Sequence, residues 1–380
     1  MRVTRLGIAI LGFSVLLIAG CGGGMGMTTP PTPACTPAAQ PAFTYVLSGN
    51  PSGAVSMYSV NSCTGALTPL TPATVSTGLL PESMAVDPSG KFVYVANLVS
   101  NASDQATISM FTADPTSGVL TPTTPATVPT GFYPQGIGID RASKFVYTAN
   151  SDDNTISMFT INPTTGVLTP TSPAAAPAGQ SPLSITVHPS GKFAYAANQD
   201  DDTISMYTVN PNTGVLTPMS PATVSTGTSP FGVTIDPSGK FAYVPNAYDL
   251  NNSVSQYTID ANTGVLTPNA QITATAQANP TAVAIDPSGR FAYVVNRGAD
   301  SVSMFTIDPT TGSLAPNGLN AVSTGDLPFR IAVDPSGKFV YVVDENDGAV
   351  SIYSVNTDGT LTNAGGVLTE LSPLDVAVTH

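Results

Sequence analysis

Positive charge is scarce in this chain, and its shortage is the first constraint on what the protein can be. Only 11 lysines and arginines stand against 24 aspartates and glutamates, a formal net charge of −13 over 380 residues. Nucleic-acid binding requires a basic footprint, so that partner is excluded, and the acidity reads first as a source of solubility. Charge of either sign is rare: 9% of residues, where an average chain has about 25%. The surface must therefore be polar through Ser, Thr, Asn and Gly. Tryptophan is absent, and histidine is limited to His188 and His380. Neither His stands in a segment that could face a substrate, so nucleophilic catalysis by a Ser–His or Cys–His pair has no support. Long apolar runs are also lacking: the longest, Leu6–Ala19, is too short to span a bilayer.

That run has another use. Arg2 and Arg5 precede it, and it ends Leu17-Ile18-Ala19-Gly20-Cys21, which resembles a bacterial lipobox. Residues 1–20 are thus expected to be a lipoprotein signal peptide, with Cys21 the lipidated residue and 21–42 a Gly/Thr/Pro-rich tether. Multiple acyl chains would anchor the protein stably to the bacterial cell envelope, at the outer membrane or periplasmic face. Of three cysteines, Cys35 and Cys63 remain as a candidate disulfide in an oxidising compartment.

From residue 43 onward the chain repeats itself. Seven segments open with a proline, two residues and a hydrophobic–small–hydrophobic triplet: Pro81, Pro134, Pro182, Pro230, Pro280, Pro328 and Pro373. Each of the first six is followed by a turn such as Asp87-Pro88-Ser89-Gly90-Lys91, then by an aromatic strand such as Phe92–Asn97. A polar loop, a third strand, an Asn162-Pro163-Thr164-Thr165-Gly166-type turn and a fourth strand complete the unit. The aromatic recurs at Phe43, Phe92, Phe145, Phe193, Phe241, Phe291 and Phe339, at spacings of 49, 53, 48, 48, 50 and 48. No segment has a helical period. Four strands in about 48 residues is one propeller blade. The chain enters at a second strand and ends on an opening strand, so the last strand is expected to complete the blade begun by the first, leaving no free sheet edge. A linear solenoid would need polar caps, and none is visible. The expectation is an all-β, seven-bladed β-propeller over residues 43–380.

The recurring Tyr94-Val95-Ala96-Asn97, Tyr147-Thr148-Ala149-Asn150, Tyr195-Ala196-Ala197-Asn198, Tyr243-Val244-Pro245-Asn246, Tyr293-Val294-Val295-Asn296 and Tyr341-Val342-Val343-Asp344 resemble YVTN-type repeats. Over residues 43–380 the chain is similar to the seven-bladed, lactonase-like propeller family, 6-phosphogluconolactonase-like. The resemblance implies a cleft on the face that bears the loops entering strand one and joining strands two and three.

Sorting residues by face explains most of the charge. Lys91, Lys144, Lys192, Lys240, Arg290 and Lys338 are one repeated turn position, and His188 and His380 fall in the same turns. The mid-strand serines, Ser56 to Ser351, recur in every blade and read as structural. The second-to-third-strand loops are acidic, from Asp104 through Asp152, Asp153, Asp200, Asp201, Asp202, Asp249 and Asp300 to Glu345 and Asp347, and read as solvated charge. No metal-binding motif is present, and calcium is the one cofactor such carboxylates could hold. Two residues after each opening proline stand Ser83, Gly136, Ser184, Gly232, Ala282, Arg330 and Asp375. Five are small; Arg330 and Asp375 are not, and ring closure makes them neighbours, with Glu82 one blade further. An Arg between two carboxylates, with Arg297 nearby and Phe231, Phe329 and Tyr248 as apolar walls, is the candidate ligand site. Its structural counterpart is an ion pair that plugs the channel mouth.

Function is weighed between two main readings, with a calcium-dependent propeller lactonase, drawing on the same carboxylates plus a loop Asn, as a third. The first is a monomeric, membrane-tethered binding or scaffold module that meets a small-molecule or protein ligand through its acidic loop face. The second is a lactone hydrolase with Glu82 or Asp375 as base and Arg330 stabilising the oxyanion. The missing catalytic His and the uniform repeats weigh toward binding. A phosphorylated lactone fits poorly, because phosphate wants a cationic pocket.

Overall fold

The computed structural model describes residues 41–49, 52–98, 105–250, 252–369 and 372–379. Among them are 28 strands, β1 (Phe43–Ser48) to β28 (Pro373–Val378), in seven four-stranded antiparallel sheets. The seam blade has the order β28-β1-β2-β3, with β2 at Ala54–Val60 and β3 at Leu67–Ser76. Blades two to seven follow in chain order, opening at Pro81, Pro134, Pro182, Pro230, Pro280 and Pro328. The expected architecture is observed, including its closure: Thr44 pairs with Val378, Val46 with Val376 and Leu47 with Asp375. Signal peptide, lipidation at Cys21 and tether fall mainly on residues outside the described set.

The repeat motif builds the ring by joining blades. Second strands such as Phe92–Asn97 are buried along their whole length, because a neighbouring blade covers each face. Their tyrosines reach across. Tyr45 Oη donates to Gly118 O at 2.8 Å and Tyr94 Oη to Gly166 O at 2.8 Å; Tyr341 closes the circle on Gly65 O at 3.0 Å. The accepting glycine is fixed by sterics. Gly166 has φ +72°, and a Cβ there would stand 2.4 Å from the Phe92 ring. The motif Asn works within its blade: Asn150 Nδ2 donates to Ser157 Oγ at 2.9 Å, and that hydroxyl accepts from Gly131 N at 3.2 Å. The mid-strand serines are structural for this reason. Core clusters accordingly lie between adjacent blades, as where Phe145 and Tyr147 pack with Ala194 and Tyr207.

Turn aspartates are equally committed. Asp87 Oδ1 accepts from Lys91 N and Phe92 N, both at 2.7 Å. His188 substitutes in kind: its Nδ1 accepts from Ser190 N at 3.0 Å and its Nε2 donates to Gly239 O at 2.8 Å. It is a buried turn residue on the face away from the loops. Cys63 is disulfide-bonded; Cys21 and Cys35 both lie outside the described residues, so a Cys35–Cys63 bridge stands as a proposal.

The closure can be tested by thermal unfolding. Removing residues 373–380 strips β1 of its inner neighbour and leaves an open edge, and the single cooperative transition is expected to disappear. Tyr341→Phe, which deletes one hydrogen bond at the seam, is expected to keep the transition and lose about 1 kcal/mol.

Candidate active site at the channel mouth

Seven inner strands converge on one axis, and their opening residues form two stacked chambers. The upper one, about 350 Å3, is lined by Glu82, Phe231, Tyr248, Arg297, Phe329 and Glu345. The lower one, about 210 Å3, reaches Arg330, Asp375, Ser83, Ser184 and Gly232. Thr281 lines both. All seven residues singled out from the sequence therefore meet at one place. Threonines tie the inner strands together beside it: Thr281 Oγ1 donates to Phe329 O at 3.1 Å and Thr234 Oγ1 to Val283 O at 2.7 Å.

The two arginines differ. Arg297 Nη2 pairs with Glu345 Oε2 at 2.7 Å, the one ion pair within 4.0 Å among the described residues. Arg330 is not in an ion pair with Glu82 or Asp375, contrary to the plug expected from sequence. Its guanidinium makes no hydrogen bond to a described residue. It lies over aromatic faces instead, 5.4 Å from the Phe231 centroid and 5.2 Å from that of Phe329. Those rings meet edge to face at 5.6 Å and 82°, and Arg297 covers Phe329 from 5.5 Å. Ring quadrupoles hold a cation without using its N–H donors, so Arg330 keeps its donors for a ligand.

The carboxyls also divide. Asp375 is a clamp: it accepts from Met84 N at 2.9 Å, Ser83 Oγ at 3.3 Å and its neighbour Val376 N at 2.9 Å. Desolvation raises its pKa, against the opposing pull of Arg330 and these donors. Glu82 accepts no hydrogen bond from a described residue. Burial pushes its pKa to about 7; the Arg330 charge pulls it down and the Glu345 charge pushes it up. A carboxyl poised near neutrality can both take and return a proton.

Glu345 was visible in the sequence only as one more loop charge, and its role in neutralising Arg297 is new. Several of the other loop carboxylates also hold backbone N–H groups, while Asp152 is exposed and accepts no hydrogen bond from a described residue. Asp153 accepts from Phe132 N at 2.7 Å, Asp201 from Gln180 N at 2.6 Å and Asp347 from Asp326 N at 2.9 Å. Asp202 and Asp300 brace the next blade, at Ser229 N and Leu327 N. Among the described residues no three ligating side chains converge to hold a metal ion. Asp104 and His380 lie outside that set.

A family model described as lactonase, 7-bladed beta-propeller, matches residues 39–132, 121–229, 170–278 and 221–378. No curated protein matches the chain. Solved structures do. A provisionally assigned 6-phosphogluconolactonase from Bacteroides fragilis is 24% identical with a TM-score of 0.76, covering 90% of this chain and 99% of its own. A second, from Bacteroides uniformis, is 23% identical with a TM-score of 0.77 and the same coverage. The periplasmic gluconolactonase of Pseudomonas aeruginosa is 20% identical with a TM-score of 0.72, again over 90% and 99%. At these identities the structural likeness carries the fold alone.

Proposed function

This chain belongs to the family of seven-bladed β-propeller lactonases, and from that premise we propose that it is a lactone hydrolase working at the channel mouth. The observation that carries the reading is the pairing of an uncommitted guanidinium, Arg330, with an uncommitted carboxyl near neutral pKa, Glu82. Glu82 takes a proton from water as the water oxygen bonds to the lactone carbonyl carbon. Arg330 donates to the oxyanion that forms. Collapse of the tetrahedral species breaks the bond to the ring oxygen, which receives the proton held by Glu82. The product is an open-chain hydroxy acid, released as its carboxylate. Phe231, Phe329 and Tyr248 supply the apolar wall, and Asp375 keeps the seam closed beneath.

The preference for a binding or scaffold role drawn from sequence finds no support: the family is enzymatic, and several of the loop carboxylates offered as its binding face are engaged in backbone hydrogen bonds. The lack of a loop-face His weighs less once Glu82 is available as the base. The substrate in this reading is an unphosphorylated lactone. Arg297 is already neutralised, so a phosphate would meet one free cation beside Glu82 and Asp375. Export as a Cys21-anchored lipoprotein accords with that choice, as does the periplasmic relative, which acts on a gluconolactone.

A panel of aliphatic and sugar lactones, with and without a 6-phosphate, followed by proton release, tests the proposal. Hydrolysis is expected for the neutral lactones, at least tenfold above the phosphorylated one in kcat/KM, and unchanged by EDTA. No turnover of any lactone overturns it.

A further inference from the structure

One blade is built differently from the other six. Inner strands run six residues, as in Pro182–Val187 and Pro280–Ile285, but blade five keeps only Thr234–Ile235. Its Pro230 makes an isolated bridge to Asn246, and of residues 231–233 only Phe231 keeps a ladder hydrogen bond. The cause stands in the second strand, Phe241–Pro245. Where the other YVxN-type motifs place Ala96, Ala149, Ala197, Val295 and Val343, this one places Pro245. Those five residues pair with Ser83, Gly136, Ser184, Ala282 and Arg330, the ring of positions that lines the channel. In an antiparallel ladder the N–H and C=O of one residue point to the same neighbour. The Pro245 carbonyl accepts from Phe231 N at 2.9 Å. The N–H that proline lacks is therefore the one that would have reached the inner strand. Proline is normally confined to edge strands for this reason, yet Pro245 has a partner strand on its other side too, at Val254.

The segment released in this way is a shared wall. Phe231 faces the upper chamber, while Gly232 and Val233 line the lower one, as does Pro245. The Val233 carbonyl is taken by the preceding blade, from Thr186 Oγ1 at 2.6 Å. Ser184 Oγ, also in that blade, is buried without a hydrogen-bond partner, 3.9 Å from where a Gly232 Cβ would stand.

We propose that Pro245 is a positioning residue that sets the site's specificity. By withholding one N–H, it leaves Gly232 and Val233 outside the ladder, seats Phe231 against Phe329 and Arg330, and keeps the lower chamber open to the substrate's far end. The inference rests on the lactonase reading for its catalytic consequence, though not for its structural part. Restoring the N–H should close the ladder, lengthen the inner strand and draw Gly232 and Val233 toward the sheet. The lower chamber would narrow while Glu82 and Arg330, on other blades, and Phe231, already bonded to residue 245 through its own N–H, keep their places. The signature is a KM effect with kcat nearly preserved.

The test uses Pro245→Ala and Pro245→Val, which return the same N–H with different bulk. Hydrogen exchange of peptides spanning 231–234 is expected to slow at least tenfold in both. KM for the best neutral lactone is expected to rise about tenfold in both, with kcat within twofold of wild type. Unchanged exchange overturns the strand-release argument whatever the kinetics show. Slowed exchange with unchanged KM, or a KM effect in valine alone, overturns the role of the missing N–H in specificity. A wild type inactive on every lactone overturns the catalytic consequence together with the lactonase reading, and the exchange result then decides the structural part separately.

Discussion

Arg330→Gln is expected to lower kcat/KM for lactone hydrolysis by about 10²–10³, the usual cost of removing one oxyanion donor. The loss should fall on kcat, because charge on the carbonyl oxygen develops only on the way to the transition state. Folding should be affected far less than activity, since the guanidinium makes no ion pair or hydrogen bond with the described protein; what is lost is its stacking on Phe231 and Phe329 and its charge opposite Glu82 and Asp375. Arg330→Lys keeps the charge but gives up planarity and the stacked fit, so an intermediate loss is expected. A second readout comes from pH. Arg330 is the charge that pulls the Glu82 pKa down, so in the Gln variant the acid limb of any residual activity should move to higher pH. Retention of full kcat by Arg330→Gln, measured on the same lactone, would remove Arg330 from the reaction.

Glu82→Gln is expected to cost about 10²–10⁴ in kcat, the range for a general base. Wild-type kcat/KM should rise with pH through an apparent pKa of about 7, where burial has moved this carboxyl, and level off above it. Stability should run the other way. The folded state holds the Glu82 proton more tightly than the unfolded chain, where the carboxyl has its ordinary value of 4.5. Folding stability is thus greatest below about pH 4.5 with respect to this group and falls as pH rises to about 7. Asp344, raised to about 6 by burial, adds a similar decline at lower pH. Only the Glu82 part is removed by glutamine. Glu82→Gln should therefore melt above wild type at pH 8, by roughly 1–2 kcal/mol after allowance for its partial exposure, and match it near pH 4. Activity lost and stability gained at one residue is the pattern expected of a functional group held at a cost.

The ring was legible because its signal is periodic. Phe92 and its six counterparts recur near 48 residues, and a chain that starts on a second strand and stops on a first has only one economical closure. The site was legible where it breaks that period: Arg330 and Asp375 stand out among small residues, and they do reach the mouth. What they touch there was not legible. A repeat fixes the position of a Cβ, while the rotamer of a long side chain answers to neighbours from other blades. Arg330 accordingly settles on Phe231 and Phe329 and not between carboxylates. What several of the loop aspartates hold was not legible for a related reason. Loops entering an inner strand expose backbone N–H groups outside any ladder, and Asp153 or Asp201 fills that need. Pro245 lay in plain view within its motif, but its consequence depends on which strand the absent donor would have faced.

The seam has one more implication, for the order in which the molecule comes into being. Strand β1 is synthesised more than 300 residues before its inner neighbour β28, from which Asp375 reaches back to Ser83 and Met84. No nascent or prematurely stopped polypeptide can hold a finished mouth. The proposed chemistry of the mouth can begin only once β28 has joined β1.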